Sequence, residues 1–327
     1  MQKQAKPSSG SDPNSGLTLN HLRPVPHPGR WLSAAVVALL AAMLIHGLVT
    51  NEKLRWDLVV FYLRYDLIIQ SVGWTLILTI CAMFIGIVLA VLTAVMRQSE
   101  NPILRGVAYA YVWFFRGTPI YTQLVFWGLL PALYTRLSLG VPFGPEFFVF
   151  ETRELFTGAV CAIVGLGLNE GAYLSEIVRS GLNSVDPGQR EAASALGMSN
   201  GQILRRVVMP QAMRVIVPPT GNETISMLKT TSLVTAVPVS LELTFVASQE
   251  GSRTFQPIPL LLVASIWYLV ITTILMIGQH YLERYYGRGF EGGSSRSNRA
   301  RRGMSQRQQA ILDAGTTKTD PMIEYTP

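Results

Sequence analysis

Few side chains in this sequence could bind or move a charge, and most of them sit where charge is costly. Lys229 falls inside an apolar stretch, as do Asn169, Glu170 and Glu176, and Arg116, Thr118 and Gln123 open another in FFRGTPIYTQ. An ionisable group at membrane depth faces a cavity, a pathway or a partner, because hydrocarbon does not solvate it. Lys229 suits either a substrate carboxylate or an acidic neighbour. Glu170 suits either a substrate ammonium or a position from which it reaches inward to water. Gln123, one turn beyond Thr118, is expected to line a cavity. Covalent chemistry finds no support. There is no GxxxxGK[ST] phosphate loop, no Ser/His/Asp set and no paired-carboxylate site. His21, His27, His46 and His280 lack ligand spacing, and Cys81 and Cys161 lie in apolar runs, as buried thiols do.

The elements that must position these residues are long apolar helices. Of 327 residues, 49% are hydrophobic and 14% charged, against about 25% charged in ordinary soluble domains. A spanning helix needs roughly 20 apolar residues. Runs at Trp31–Val49, Leu67–Met96, Pro119–Tyr134, Leu155–Val178, 221–247 and 257–281 meet or approach that length. The fold class expected is an all-α polytopic membrane protein with six transmembrane helices. Thr118 is expected to cap the third, with Pro119 at its first position. The aromatic stretch before it, NPILRGVAYAYVWFF, reads as a helix lying on the membrane surface, or as part of one long tilted helix from Ile103.

Orientation follows from the basic residues. With the N-terminus inside, inner segments hold 20 of the 27 lysines and arginines, outer segments 6, and Lys229 alone falls in a span. This places both termini in the cytoplasm. It also explains the net charge of +7 without a nucleic-acid partner. Residues 1–30 and the basic stretch 291–327 are expected to be disordered tails.

One polar segment interrupts this pattern, DPGQREAASALGMSNGQILRRVVMP over 186–210. Asp186 is an N-cap, Pro187 a first helical residue, and Gln189 completes a capping-box pattern. Gly197 supplies a left-handed end, with Met198 as the apolar contact beyond it. Ser199 and Gln202 start a second helix, which Pro210 is expected to stop. A short, doubly capped helix of small residues outside the lipid suits either a docking element or a packed loop with no partner.

The spacing Glu191-Ala192-Ala193, then Gly197, then Val207-Val208-Met209-Pro210 resembles the EAA loop of ABC importer permeases. RGTP with Gln123, GAYLSEIVRSG (Gly171 to Gly181) and MLKTTSLV (Met227 to Val234) resemble the polar amino-acid branch of that family. The resemblance implies a five-helix type I permease core over 67–286, with residues 31–50 as an added anchor. It implies that Glu191, Ala192, Ala193, Gly197 and Pro210 couple the chain to a separate ATPase subunit, which holds the ATP and magnesium. It further implies a second permease subunit, an extracytoplasmic amino-acid-binding protein and a bacterial inner-membrane location. Glu176 and Arg179 match a family motif and are expected side by side at the cytoplasmic gate. No cofactor is expected on this chain. A stand-alone ion-coupled transporter, using the Pro218-Pro219 pair as a helix break with Lys229 nearby, is the alternative.

Overall fold

A computed structural model describes residues 28–141, 144–237 and 239–287. The expected tails lie outside the described residues, apart from 28–30, which open the first helix. The chain divides into two units. The first, ending at Arg55, holds α1 (Pro28–Thr50) and a 3-10 turn at Glu52–Leu54. Its Gly29–Thr50 stretch is long and apolar enough to cross a membrane, and its described side chains are all exposed. A helix apolar on every face suits lipid.

The second unit starts at Trp56. It contains α2 (Trp56–Leu63), α3 (Asp66–Gln98), α4 (Pro102–Gly117), α5 (Ile120–Leu133), a hairpin of β1 (Arg136–Gly140) and β2 (Glu146–Glu151), and α6 (Thr152–Leu155). It continues with α7 (Gly158–Asn183), α8 (Pro187–Ala195), α9 (Asn200–Ile203), α10 (Met209–Thr230), α11 (Leu243–Arg253) and α12 (Pro257–Gly287). The helical membrane architecture is thus as expected. α3 and α12 are long and apolar enough to cross a membrane alone. α7 and α10 reach that length too, but α7 carries polar groups such as Glu170 and Ser175 into the bundle interior. The hairpin was not anticipated. Its pairing places Leu137, Leu139, Phe148 and Phe150 on one face, with the two phenylalanine rings stacked 6.5 Å apart.

The centre of the bundle is the contact between α3 and α7. A Cβ added at Gly167 would sit 2.7 Å from Ile85 Cγ2, and one at Gly171 2.7 Å from Leu89 Cβ and 2.6 Å from the Tyr111 hydroxyl. Lipid tails are as apolar as leucine, so helices in a membrane associate through close packing of small residues, and these glycines provide it. Around them Leu78, Ala82, Leu124, Cys161, Leu166 and Val234 form a buried cluster.

Two helices end where the sequence pattern did not place their ends. Thr118 closes α4 instead of opening α5, because its hydroxyl donates to Phe114 O at 2.8 Å; Pro119 takes the cap position of α5. α4 is also no surface helix. Its Tyr111 hydroxyl donates to Leu168 O at 2.6 Å, near the middle of α7, so α4 packs into the bundle and continues into α5 across a break at Thr118 and Pro119. The stretch 221–247 is likewise not a single helix. It comprises the end of α10, a 3-10 turn at Thr231–Ala236, an irregular segment, and the start of α11. The hydroxyl- and β-branched-rich TTSLVTAV run weakens the helix. Glu242, fully buried, restarts it by accepting from Thr244 N (2.8 Å) and Phe245 N (3.1 Å), and it also accepts from the Tyr268 hydroxyl.

Replacing Gly167 by valine should force α3 and α7 apart. Overpacking of this kind costs about 1–3 kcal/mol. Thermal melting of the purified chain in detergent should show a clear fall in Tm. Gly106→Ala, where an added Cβ meets nothing within 4 Å, should melt like wild type.

Candidate functional site

The polar loop forms a rigid unit. Asp186 Oδ1 accepts from Gly188 N at 2.8 Å, the local bond of an N-cap. At the other end of α8, Gly197 N donates to Ser194 O (2.9 Å) and Met198 N to Ala193 O (3.2 Å). These two bonds close a Schellman motif, which needs the left-handed φ of +75° that Gly197 adopts. Ser199 and Gln202 form the expected capping box. Pro210 does not stop the second helix. α9 passes through a π-helical turn at Leu204–Val208 into α10, with Pro210 in its first turn. The wider π turn moves the carbonyl that a proline ring would strike, so the chain continues.

This loop has a small core of its own. Ala193, Ile203 and Val208 pack with Leu182 at the end of α7, with Val185 just beyond it, and with Ala212 and Ile216 on α10. Arg190 Nη2 donates to Leu182 O at 2.8 Å. Of the EAA residues, Ala193 therefore holds α8 to the bundle, while Glu191 and Ala192 are exposed. Leu196, which the sequence pattern did not single out, is 83% exposed beside them.

A cleft of about 420 Å³ opens between the α4–α5 break, α7 and α10. Arg116, Thr118, Asn169 and Glu170 line it, together with Tyr173 and Glu223. Glu223 was missed because nothing local marks it; only the fold brings it opposite Glu170. Glu170 is 5% exposed, and its Oε1 has no hydrogen-bond partner among the described residues. A buried acceptor left unpaired is expensive, and this one belongs to a residue on the cleft wall. Gln123 does not line this cleft. It is buried, its Nε2 lying 2.7 Å from Thr118 Oγ1 and 3.0 Å from Phe115 O, and its Oε1 accepts from Asn169 Nδ2 at 3.1 Å. Lys229 is exposed and also outside the cleft lining, although Ser226 and Thr230 belong to it.

Near the cleft, Glu176 meets three arginines. Arg97 Nη1 lies 2.5 Å from its Oε1, Arg179 Nη2 2.9 Å from Oε2, and Arg116 Nη1 3.6 Å from Oε1. Arg97 also stacks over the Tyr109 ring at 4.6 Å, and Arg116 over Tyr173 at 5.2 Å. One carboxylate thus joins α3, α4 and α7. The Glu176–Arg179 pairing was implied by the family resemblance; Arg97, 79 positions away, was not.

A helical membrane bundle with an interrupted helix, a central polar cleft and a capped polar loop has the features of a membrane transport component. Residues 82–287 match the family described as binding-protein-dependent transport system inner membrane component, and the chain belongs to that family. It is an ABC importer permease subunit of the amino-acid branch, and such subunits are not themselves enzymes. It is 50% identical over 280 residues to the arginine transport system permease protein ArgU of Corynebacterium glutamicum, covering 85% of each chain. It is 35% identical to the histidine/lysine/arginine/ornithine permease HisM of Escherichia coli, over 63% of this chain and 83% of that one. Among solved structures it resembles one described as an amino acid ABC transporter with histidines, with a TM-score of 0.55 and 32% identity, over 67% of this chain and 94% of that one. The ion-coupled alternative falls with this assignment. The Pro218-Pro219 pair that would have served it lies within α10, whose helix continues through both.

Glu176→Ala should strand the Arg97 guanidinium, which is only 9% exposed. Breaking a buried pair costs about 3–5 kcal/mol, so melting should show a large loss of stability. Arg179→Ala, at an exposed partner, should cost about 1 kcal/mol or less.

Proposed function

We propose that this permease carries cationic amino acids, and that Glu170 and Glu223 receive the side-chain cation in the cleft. The observation that carries this reading is the pairing of two carboxylates on the walls of one cleft, with an oxygen of Glu170 unpaired. Arg116, the basic residue on the same wall, is already engaged by Glu176. The relatives named above for arginine and for histidine, lysine, arginine and ornithine support the same cargo class.

The chain works as part of an assembly. Two ATPase subunits hold ATP and magnesium, and α8 docks on them through Glu191, Ala192 and Leu196. A second permease subunit completes the path, and an extracytoplasmic binding protein delivers cargo. Both termini face the cytoplasm of a bacterial inner membrane, consistent with the lopsided distribution of basic residues.

Uptake of labelled arginine by cells expressing the chain with its partner subunits tests the cargo. A charge-assisted hydrogen bond contributes about 1.5–3 kcal/mol, so Glu170→Gln and Glu223→Gln should each lower arginine uptake by roughly tenfold or more. Unchanged uptake in both variants would refute the cleft as the cargo site. Docking is tested separately. A P-loop ATPase should copurify with the wild-type chain and be lost from Leu196→Asp, a change too exposed to disturb the fold.

A further inference from the structure

A second cavity, of about 600 Å³, has no part in the path described above. It is a groove between α3 and α10, floored by α7 and bordered by Leu282 of α12. Apart from Thr220, Thr224 and Arg205, its lining is apolar. On α3 the lining runs from Ile87 to Val95, a rise of about 12 Å, and on α10 from Met209 to Thr224, about 22 Å. One leaflet is half of a hydrocarbon core of about 30 Å. The groove therefore has the length of one acyl chain within one leaflet.

Its polar end is equally defined. Arg205 lies in the π-helical turn Leu204–Val208, at the end of the groove next to the docking loop, and it is exposed. Its side chain has no hydrogen bond or ion pair with any described residue. The extra residue of the π turn brings both Leu204 and Arg205 onto the groove wall. An apolar trough ending in one unpaired cation complements an amphiphile with an apolar chain and an anionic head. A second copy of this chain pressing an apolar helix into the groove would cover the trough and leave the guanidinium without a counter-charge.

We propose that this groove binds an anionic phospholipid, with one acyl chain lying between α3 and α10 and the phosphate held by Arg205. The lipid stands against the first turns of α10, the helix through which the docking loop joins the cleft wall at Glu223. The inference needs the bundle to be embedded in a membrane, but not the cargo assigned above.

Native mass spectrometry of the full-length chain in mild detergent tests it, with titration by dioleoyl phosphatidylglycerol or by dioleoyl phosphatidylcholine, which has the same acyl chains. Wild type should retain one phosphatidylglycerol per chain and favour it about fivefold, the worth of one arginine at an anionic surface. Arg205→Ala should abolish that preference while still binding a lipid chain. Val91 is 48% exposed on the groove wall, so Val91→Trp should fill the trough and expel both lipids, with helicity and elution volume unchanged. Equal retention of the two lipids by wild type, or wild-type preference in Arg205→Ala, would overturn the proposal. So would a disulfide forming between copies carrying Val91→Cys and Val217→Cys, since it would put a second chain in the groove.

Discussion

The rest of this structure depends on the rule that a backbone break in hydrocarbon must be satisfied by the protein itself. Unpaired amides and carbonyls at membrane depth cost several kcal/mol each, so irregular backbone survives only where buried polar groups meet it. This chain breaks two helices and supplies a buried side chain at each break. Between α4 and α5, Gln123 turns back onto Phe115 O and Thr118, and Asn169 of α7 joins it. Before α11, Glu242 caps the new helix while Thr75 and Tyr268 hold the carboxylate. The first of these breaks is itself a wall of the cleft, since Gly117 to Ile120 line it. The cleft exists because the helix is interrupted, and the interruption persists because Gln123 is buried where it is.

Charge is distributed with the same economy. The cleft carries Glu170 and Glu223, while three arginines gather on Glu176 a few residues along α7. The outcome differs because the partners differ. Glu176 is surrounded by guanidinium groups and forms a structural joint between three helices, whereas Glu170 keeps an unpaired oxygen. Two glutamates six positions apart on one helix thus have opposite surroundings, one ringed by guanidinium groups and one left with an unpaired oxygen.

Those neighbours are also what sequence reading could and could not reach. The loop over 186–210 was legible in detail, because caps and a left-handed glycine are local signals spanning three to six residues. α3, α7 and α12 were legible because apolar length is a sum over a window. The break in the fifth span was not, since a glutamate buried as a cap there depends on Thr75 and Tyr268, 167 and 26 residues away, to hold its carboxylate. Gln123 was misjudged for the same reason: polarity at membrane depth suggested a cavity, but the amide is consumed by its own helix junction. Pro210 was read from the clash rule for an α-helix, and the π turn before it lifts that rule. The hairpin was overlooked because EFFVFE reads equally well as a continuation of apolar membrane-proximal sequence.

The coupling path follows from connectivity. α7 carries Glu170 and Glu176 and leads through Ser184 and Asp186 into α8; α10 carries Glu223 and begins where the π turn ends. Two of the cleft's walls are therefore the two helices that flank the 186–210 loop. The loop's small core ties them together again through Leu182, Ala193, Val208 and Ile216. A Cβ at Gly181 would lie 2.3 Å from Ile216 Cγ1, so α7 and α10 cross in tight contact just inside the loop. A flexible loop would absorb a displacement of α8. One closed by a Schellman motif and a capping box, and packed against this crossing, is built as one piece with both helices, and packed interfaces of this kind have discrete arrangements instead of deforming continuously.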